Sequence, residues 1–198
     1  MNSEPLSAKH GAPVRIIAPG IAGARCVKWL QQITVQSTES ENHYQQRDYK
    51  ILPPEATDKE KAENFWDITA AIQDMPVNSV IGSPHSGDTL TLDSSGKVEV
   101  HGYALPSGAG GPVTKVEVSA DEGKTWVEAE LVGKRSKWSW ALWQARLTVE
   151  KGASKKILSR ATDKAGKRQT ASPQWNLRGV AYDGYGESRD LTVTDKNA

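Results

Sequence analysis

The chain has 198 residues, 37% of them hydrophobic and 25% charged, and its Lys+Arg 25 against Asp+Glu 24 leave a formal charge of +1. That balance excludes the strong basic stripe of a nucleic-acid or anionic-membrane binder, and no run of about 18 apolar residues offers a membrane span. The single cysteine excludes an internal disulfide and any multi-cysteine metal site.

The first ten residues carry Ser, Glu, Pro and Lys without the apolar centre of a secretory signal, and nothing in them specifies a compartment. Residues 10–35 alternate short apolar pieces (14–17, 27–30 and 33–35) with turns. Between them, Pro19-Gly20 to Gly23-Ala24 forms a turn of small residues that can bring backbone N–H groups close to a large anion. His10, Arg15 and Lys28 set three cationic or cationisable side chains around it, and the Arg fork matches phosphate-type oxygens. By itself an Arg–Lys pair at a glycine turn reads as a solvated loop. Gly20-x-x-Gly23 is too short for a dinucleotide fingerprint, and no Gly-Lys-Ser/Thr follows it. Cys26, beside Arg25, reads as a structural thiol.

Residues 36–64 are polar and include Pro53-Pro54, the signature of a loop or linker with little to bury. The amphipathic piece 65–72 predicts a helical turn or two. Composition changes near residue 76, and from Val80 onward the pattern has period two. Val98, Val100 and Gly102 alternate with Glu99, His101 and Tyr103. Val116 and Val118 alternate with Lys115, Glu117 and Ser119. Trp138, Trp140 and Leu142 alternate with Lys137, Ser139 and Ala141, and Ile157, Ser159 and Ala161 with Lys156, Leu158 and Arg160. Such runs between turn clusters predict an antiparallel β-sandwich. Trp126, Trp138, Trp140, Trp143 and Trp175 are expected to supply its core, each able to bury roughly 150–250 Å². Without a cysteine pair, any immunoglobulin likeness is architectural. Residues 119–126 match S-x-D-x-G-x-T-W once, which predicts a hairpin turn and not a propeller repeat. His43, His85 and His101 lack zinc-ligand spacing and read as surface or turn histidines.

The string from His10 to Leu30, HGxPxRxxxPGxxGARxVKWL, resembles the molybdopterin-contacting segment of the sulfite oxidase family. The resemblance implies that His10, Arg15 and Lys28 hold the pterin phosphate and neighbouring polar edges. Two further segments are similar. Arg47-Asp48-Tyr49-Lys50 would supply Tyr49 to the sulfite pocket, where the similar nitrate reductases carry Asn. Trp175-Asn176-Leu177-Arg178-Gly179 would supply Arg178, where they carry Met. Without the resemblance, Tyr49 reads as a loop tyrosine and Arg178 as a surface ion-pair residue.

The resemblance implies three regions: residues 1–50 as the C-terminal remnant of a molybdopterin-binding domain (an incomplete α+β segment), 51–76 as a linker, and 77–198 as an immunoglobulin-like dimerisation domain. The mainly β chain is expected to be the C-terminal part of a sulfite oxidase-like molybdenum oxidoreductase. The complete enzyme would convert sulfite to sulfate by oxygen-atom transfer. Mo-molybdopterin would meet only a partial site here, with the molybdenum-ligating cysteine and any haem outside this sequence, so the chain alone is expected to be inactive. No residue is nominated as a metal ligand. The expected partner is a second copy, in a homodimer, with neither nucleic acid nor membrane. Two rivals stand beside this reading: a non-catalytic β-sandwich dimerisation or interaction module, and a nitrate reductase fragment, which Tyr49 and Arg178 disfavour. Electron acceptor, haem and compartment (mitochondrial intermembrane space, peroxisome or cytoplasm) are left open.

Overall fold

The computed structural model describes residues 3–195, so the first two and last three residues of the expected regions lie outside the described residues. The chain divides into two compact units, Met1–Met75 with Gln174–Ala181, and Pro76–Pro173 with Tyr182–Ala198.

The second unit is a two-sheet β-sandwich, as the period-two runs predict. One sheet has the order β1-β3-β7-β6, from Asn78–Ser83 (β1), Lys97–Leu105 (β3), Ala141–Thr148 (β7) and Glu130–Val132 (β6). The other has the order β2-β9-β8-β4-β5, from Thr89–Thr91 (β2), Gly186–Thr194 (β9), Gly152–Asp163 (β8), Val113–Ser119 (β4) and Val127–Glu128 (β5). All pairs are antiparallel except β2 with β9, which is parallel. Val98, Val100 and Ala104 on β3, Val113, Val116 and Val118 on β4, and Leu191 and Val193 on β9 face one shared core. The alternation of β-branched inward residues with polar outward ones is what lets each strand bury one face and solvate the other.

The tryptophans depart from the expectation. Only Trp143 is fully buried, at 1% exposure, whereas Trp138, Trp140 and Leu142 point outward at 43, 56 and 57%. Residues 140–143 are apolar in both phases, so periodicity alone does not choose between them. Packing does. Trp143 lies opposite Gly102, and a Cβ on Gly102 would stand 2.3 Å from the Trp143 ring and 2.1 Å from the Val80 carbonyl oxygen. The glycine is the space the indole occupies. The inward set of β7 is therefore Ala141, Trp143, Ala145 and Leu147.

The two sheets are also joined through a buried polar cluster. The Ser79 hydroxyl on β1 donates to Gln169 Oε1 at 2.8 Å and lies 2.8 Å from the Ser159 hydroxyl on β8. Gln169 Oε1 also accepts the Ala161 N–H at 2.9 Å, and its Nε2 donates to the Gly184 carbonyl. Ser79, Ser159 and Gln169 are all at most 2% exposed, so each donor depends on the others for its partner.

The 119–126 segment is the predicted hairpin turn. Asp121 accepts the Thr125 N–H at 2.9 Å, Gly123 takes φ +84°, and Trp126 Nε1 donates to the Gly123 carbonyl at 2.9 Å. The Thr125 hydroxyl, then its N–H, then the Ser119 hydroxyl hold the Asp121 carboxyl down to about 2 from the usual 3.8. Because the folded value is the depressed one, the stability this carboxylate contributes is present above about pH 4 and disappears as pH falls toward 2. A ¹³C titration of Asp121 should give a midpoint near 2. A midpoint near the ordinary value would contradict the hydrogen bonding of the turn.

In the first unit, residues 51–76, expected from the resemblance to be a linker, contribute to a small core. Leu52, Ala56, Ala62 and Trp66 are buried, with Phe65 and Leu177 packed against them. A short α-helix, α1, spans Lys59–Ala62, where Asp58 caps the end by accepting the Lys61 N–H at 2.9 Å. The predicted helical turns at 65–72 are irregular turns, held by one bond from Thr69 N to the Phe65 carbonyl at 3.0 Å. Isolated bridges tie Ile21 to Asp74 and Lys50 to Ala71.

Candidate functional site

The N-terminal cations are gathered by a small local framework in the first unit. A 3-10 turn, Ala8–His10, closes on Gly11 with φ +108°, where a Cβ would meet Lys28 Cβ at 2.9 Å. Residues 14–16 run beside 27–30 through Ile16 N to the Val27 carbonyl and Leu30 N to the Val14 carbonyl, both at 2.9 Å. Lys28 and Arg15 are thereby drawn to the turn. Lys28 Nζ donates to the Lys9 carbonyl at 3.0 Å, and Arg15 Nη1 to the His10 carbonyl at 3.0 Å. Trp29 Nε1 donates to the Ala8 carbonyl at 2.7 Å, and the Lys28 ammonium lies 5.6 Å from the Trp29 ring centroid.

The structure thus brings His10, Arg15 and Lys28 around one turn. A guanidinium has five N–H donors and an ammonium three. Among the described residues Arg15 commits Nη1 and a long Nη2 contact to the Cys26 carbonyl at 3.4 Å, and its buried Nε has no partner. The His10 Nδ1 is 2.7 Å from the Ser7 hydroxyl. This donor set, with an orphaned buried N–H at its centre, fits an anionic group with several oxygens. Cys26 Sγ accepts the Ala18 N–H at 3.4 Å, packing the thiol against the 18–26 loop. Among the described residues no group of three or more His, Cys, Asp or Glu could hold a metal ion.

Arg178 is joined to Asp48, the residue before Tyr49 in the chain. The π-helical turn Tyr44–Asp48 ends at Tyr49, whose carbonyl accepts the Ile72 N–H at 2.7 Å. The Tyr49 ring is half-buried and lies 6.3 Å from Tyr44. Far down the chain, Asn176 closes a tight loop by accepting the Val180 N–H at 3.1 Å and donating to its carbonyl at 3.0 Å. That loop presents Arg178, whose Nη2 reaches Asp48 Oδ1 at 3.0 Å. The side chains of Arg178 and Asp48 are 40% and 24% exposed. Asp48 also has His43 Nε2 at 3.7 Å.

A cleft of about 530 Å³ opens beside this pair, with Ala62, Trp66 and Leu177 as its apolar side and Arg47, Asp48 and Arg178 at its charged side. Tyr49 is not among the lining residues. Arg47 bonds Asp67 at 3.3 Å and lies 5.8 Å from the Trp66 ring centroid. Lys50, buried at 2% exposure, donates to the Trp66 carbonyl. Asp48, Arg47, Lys50 and Trp66 were not singled out in the sequence. The Arg47-Asp48-Tyr49-Lys50 string held the signal for three of them, since alternating opposite charges inside one short loop need partners. Nothing local pointed to Arg178 as the partner of Asp48.

Two family models match the chain. The Mo-co oxidoreductase dimerisation domain matches residues 69–186, and the oxidoreductase molybdopterin binding domain matches residues 1–44. The mitochondrial sulfite oxidase of Homo sapiens is 43% identical over 187 residues, covering 91% of this chain and 33% of the human protein. The nitrate reductase [NAD(P)H] of Hordeum vulgare is 37% identical over 193 residues, covering 90% of this chain and 21% of the barley protein. Among solved structures, the sulfane dehydrogenase SoxCD of Paracoccus pantotrophus superposes with TM-score 0.74 at 25% identity, covering 96% of this chain and 49% of that one. The chain spans about a third of the length of the human relative.

Proposed function

The chain belongs to the Mo-co oxidoreductase dimerisation domain family, and on that premise we propose that it serves a sulfite oxidase-like molybdenum oxidoreductase as one edge of the cofactor site, part of the sulfite site and the dimerisation domain. The observation that carries the reading is the cationic turn. Three side chains converge on one point of the first unit, and its central Arg15 Nε is buried without a partner. An anionic oxygen there would satisfy a donor that otherwise costs free energy to bury.

In this reading Arg15 and Lys28 hold the phosphate of molybdopterin by charge-assisted hydrogen bonds, and His10 meets a neighbouring polar edge. When bound, Mo-molybdopterin supplies oxygen-atom transfer, so that sulfite and water become sulfate, two protons and two electrons. Arg178 neutralises the dianion. Its Nη2 stays on Asp48, which orients the fork and leaves other N–H groups for a second set of oxygens. Tyr49, next to Asp48 in the chain though not on the wall of the cleft described above, helps return protons with the electrons. Tyr49 and Arg178 favour sulfite over nitrate, because the resembling nitrate reductases carry Asn and Met at those positions.

The test is turnover of the two anions by the molybdenum-loaded protein that carries this chain. Sulfite should reduce an artificial one-electron acceptor and nitrate should not be reduced. Nitrate reduction without sulfite oxidation would replace this reading with the nitrate reductase one.

A further inference from the structure

The chain's formal charge of +1 conceals an uneven distribution over the sandwich. Ala104, near the end of β3, lies opposite Ala141 at the start of β7. Val113 at the start of β4 lies opposite Asp163 at the end of β8, and Val132 at the end of β6 opposite Leu142. The connections 106–112, 133–140 and 164–169 therefore gather at one end. They touch there: a Cβ on Gly111 would overlap the Lys137 carbonyl oxygen. The Lys164 N–H donates to the Pro112 carbonyl at 2.9 Å and the Ala165 N–H to the Gly110 carbonyl at 3.1 Å.

This end carries six exposed cations, Lys134, Arg135, Lys137, Lys164, Lys167 and Arg168. None of them is in an ion pair among the described residues. Asp163 beside them is 2% exposed, and its carboxylate is taken up by the Ser107 N–H and hydroxyl and the Lys167 N–H. Along the adjoining strands the acids are already engaged. Glu117 holds Lys115 and Arg160, Glu130 accepts from Gln144 Nε2, and Glu99 pairs with His101 and Glu187 with Arg189. Half-buried Asp183 follows Arg168 in the chain, its carbonyl accepting the Thr170 N–H at 3.0 Å. The opposite end is mixed. There Arg146 pairs with Asp93, Lys151 with Asp195 and Lys155 with Glu150, while Lys97, Lys124 and Lys156 share a cleft with Asp121 and Glu122.

We propose that the basic end of the sandwich is a docking surface for an acidic protein, whose carboxylates pair with these ammonium and guanidinium groups. The surface lies in the second unit and shares no residue with the proposed cofactor and sulfite sites. Two exposed tryptophans stand in the same connection. Trp138 is 43% exposed with the Lys137 ammonium 4.7 Å from its ring centroid, and Trp140, 56% exposed, stacks on Tyr103. Tryptophan and arginine are the side chains that dominate protein interfaces. Charge also selects the class of partner. Taking six cations from a chain of +1 leaves the remainder at −5. A long nucleic acid or an anionic bilayer would meet that acidic remainder as well as the basic end, whereas a compact acidic patch meets the basic end alone.

Fluorescence anisotropy of a labelled octaglutamate peptide with the full chain tests it. The peptide should bind with a Kd below about 100 μM at about 50 mM salt and weaken about tenfold or more at about 300 mM. Three charge-reversed variants alter the net charge equally: Lys134→Glu with Arg135→Glu and Lys137→Glu; Lys164→Glu with Lys167→Glu and Arg168→Glu; and, at the opposite end, Lys124→Glu with Lys151→Glu and Arg189→Glu. Each of the first two should weaken binding about tenfold or more, and the third by less than about twofold. All nine residues are exposed, so far-UV spectra should match the wild type. A basic-end variant that fails to fold is replaced by its glutamine counterpart, which should show the same order of loss. Absence of binding, equal loss in the third variant, or loss confined to one of the first two would overturn the surface. Tighter binding to a DNA duplex of about 30 base pairs, or to phosphatidylcholine vesicles with about 30% phosphatidylserine, would overturn the acidic protein as its partner.

Discussion

Replacing Arg178 by methionine should raise the KM for sulfite about ten- to a hundredfold in the molybdenum-loaded protein that carries this chain, if the proposed function holds. A hydrogen bond to a charged group is worth about 1.5–3 kcal/mol, and each 1.4 kcal/mol is about a factor of ten in affinity. Methionine keeps much of the length and removes the permanent charge, so the change isolates anion recognition. The ion pair with Asp48 at 3.0 Å makes a second comparison informative. Asp48→Asn keeps a hydrogen-bond acceptor beside Arg178 and should change KM far less than the arginine substitution. If Arg178→Met leaves sulfite kinetics intact, Arg178 serves only its ion pair with Asp48.

The second large effect concerns stability. Gln169→Leu fills nearly the same space but removes the amide on which four groups converge: the Ser79 hydroxyl, the Ala161 N–H, the Gly184 carbonyl and, through Ser79, the Ser159 hydroxyl. An unsatisfied buried donor or acceptor costs about 1–3 kcal/mol, and at least two would be stranded. The loss should therefore be about 3 kcal/mol or more, and with several degrees of Tm per kcal/mol in a domain of this size the midpoint should fall by about 10 °C or more. Calorimetry on the variant and on Ser79→Ala checks it. The serine change should cost less, because it removes one member and leaves Gln169 Oε1 bonded to Ala161. Equal stability of wild type and Gln169→Leu would mean that solvent reaches the cluster and that the amide contributes little to joining the sheets.

Much of the sandwich was legible because its inward residues are β-branched and strictly alternating, as on β3 and β4, where Val98, Val100, Val116 and Val118 occupy the core. The direction of β7 was not legible. With Trp140, Ala141, Leu142 and Trp143 all apolar, either phase satisfies period two, and the choice depends on Gly102 across the strand pair leaving room for one indole. The same ambiguity hid the outward Trp140 and Leu142, since a tryptophan on a strand is read as core until its phase is known. Gln169 was invisible for a different reason. Its role comes from partners on separate strands, and no local pattern announces a buried amide.

The two proposed groups of site residues were legible to different degrees. His10, Arg15 and Lys28 lie close together in sequence around glycines, so their convergence follows from a short stretch of chain, and the structure gathers them on one turn. Tyr49 and Arg178 lie far apart, and only the string similarity joined them. The physical link is Asp48, whose charge needs a partner that local sequence does not contain. The polar composition of 36–64 likewise concealed a small core, because Leu52, Ala56 and Ala62 are few and pack with Trp66, Phe65 and Leu177 from beyond that stretch.

The division of labour between the two groups of residues is the central claim, and molybdenum content tests it most directly. Arg15→Met and Arg178→Met should be prepared side by side in the molybdenum-loaded protein and assayed for metal per polypeptide after exhaustive dialysis. Arg15→Met removes charge-assisted bonds worth about 1.5–3 kcal/mol each, so it should retain much less molybdenum than the wild type, while Arg178→Met should retain the same amount. Full metal content in Arg15→Met together with loss in Arg178→Met would contradict the account by assigning the cofactor to the loop that presents Arg178.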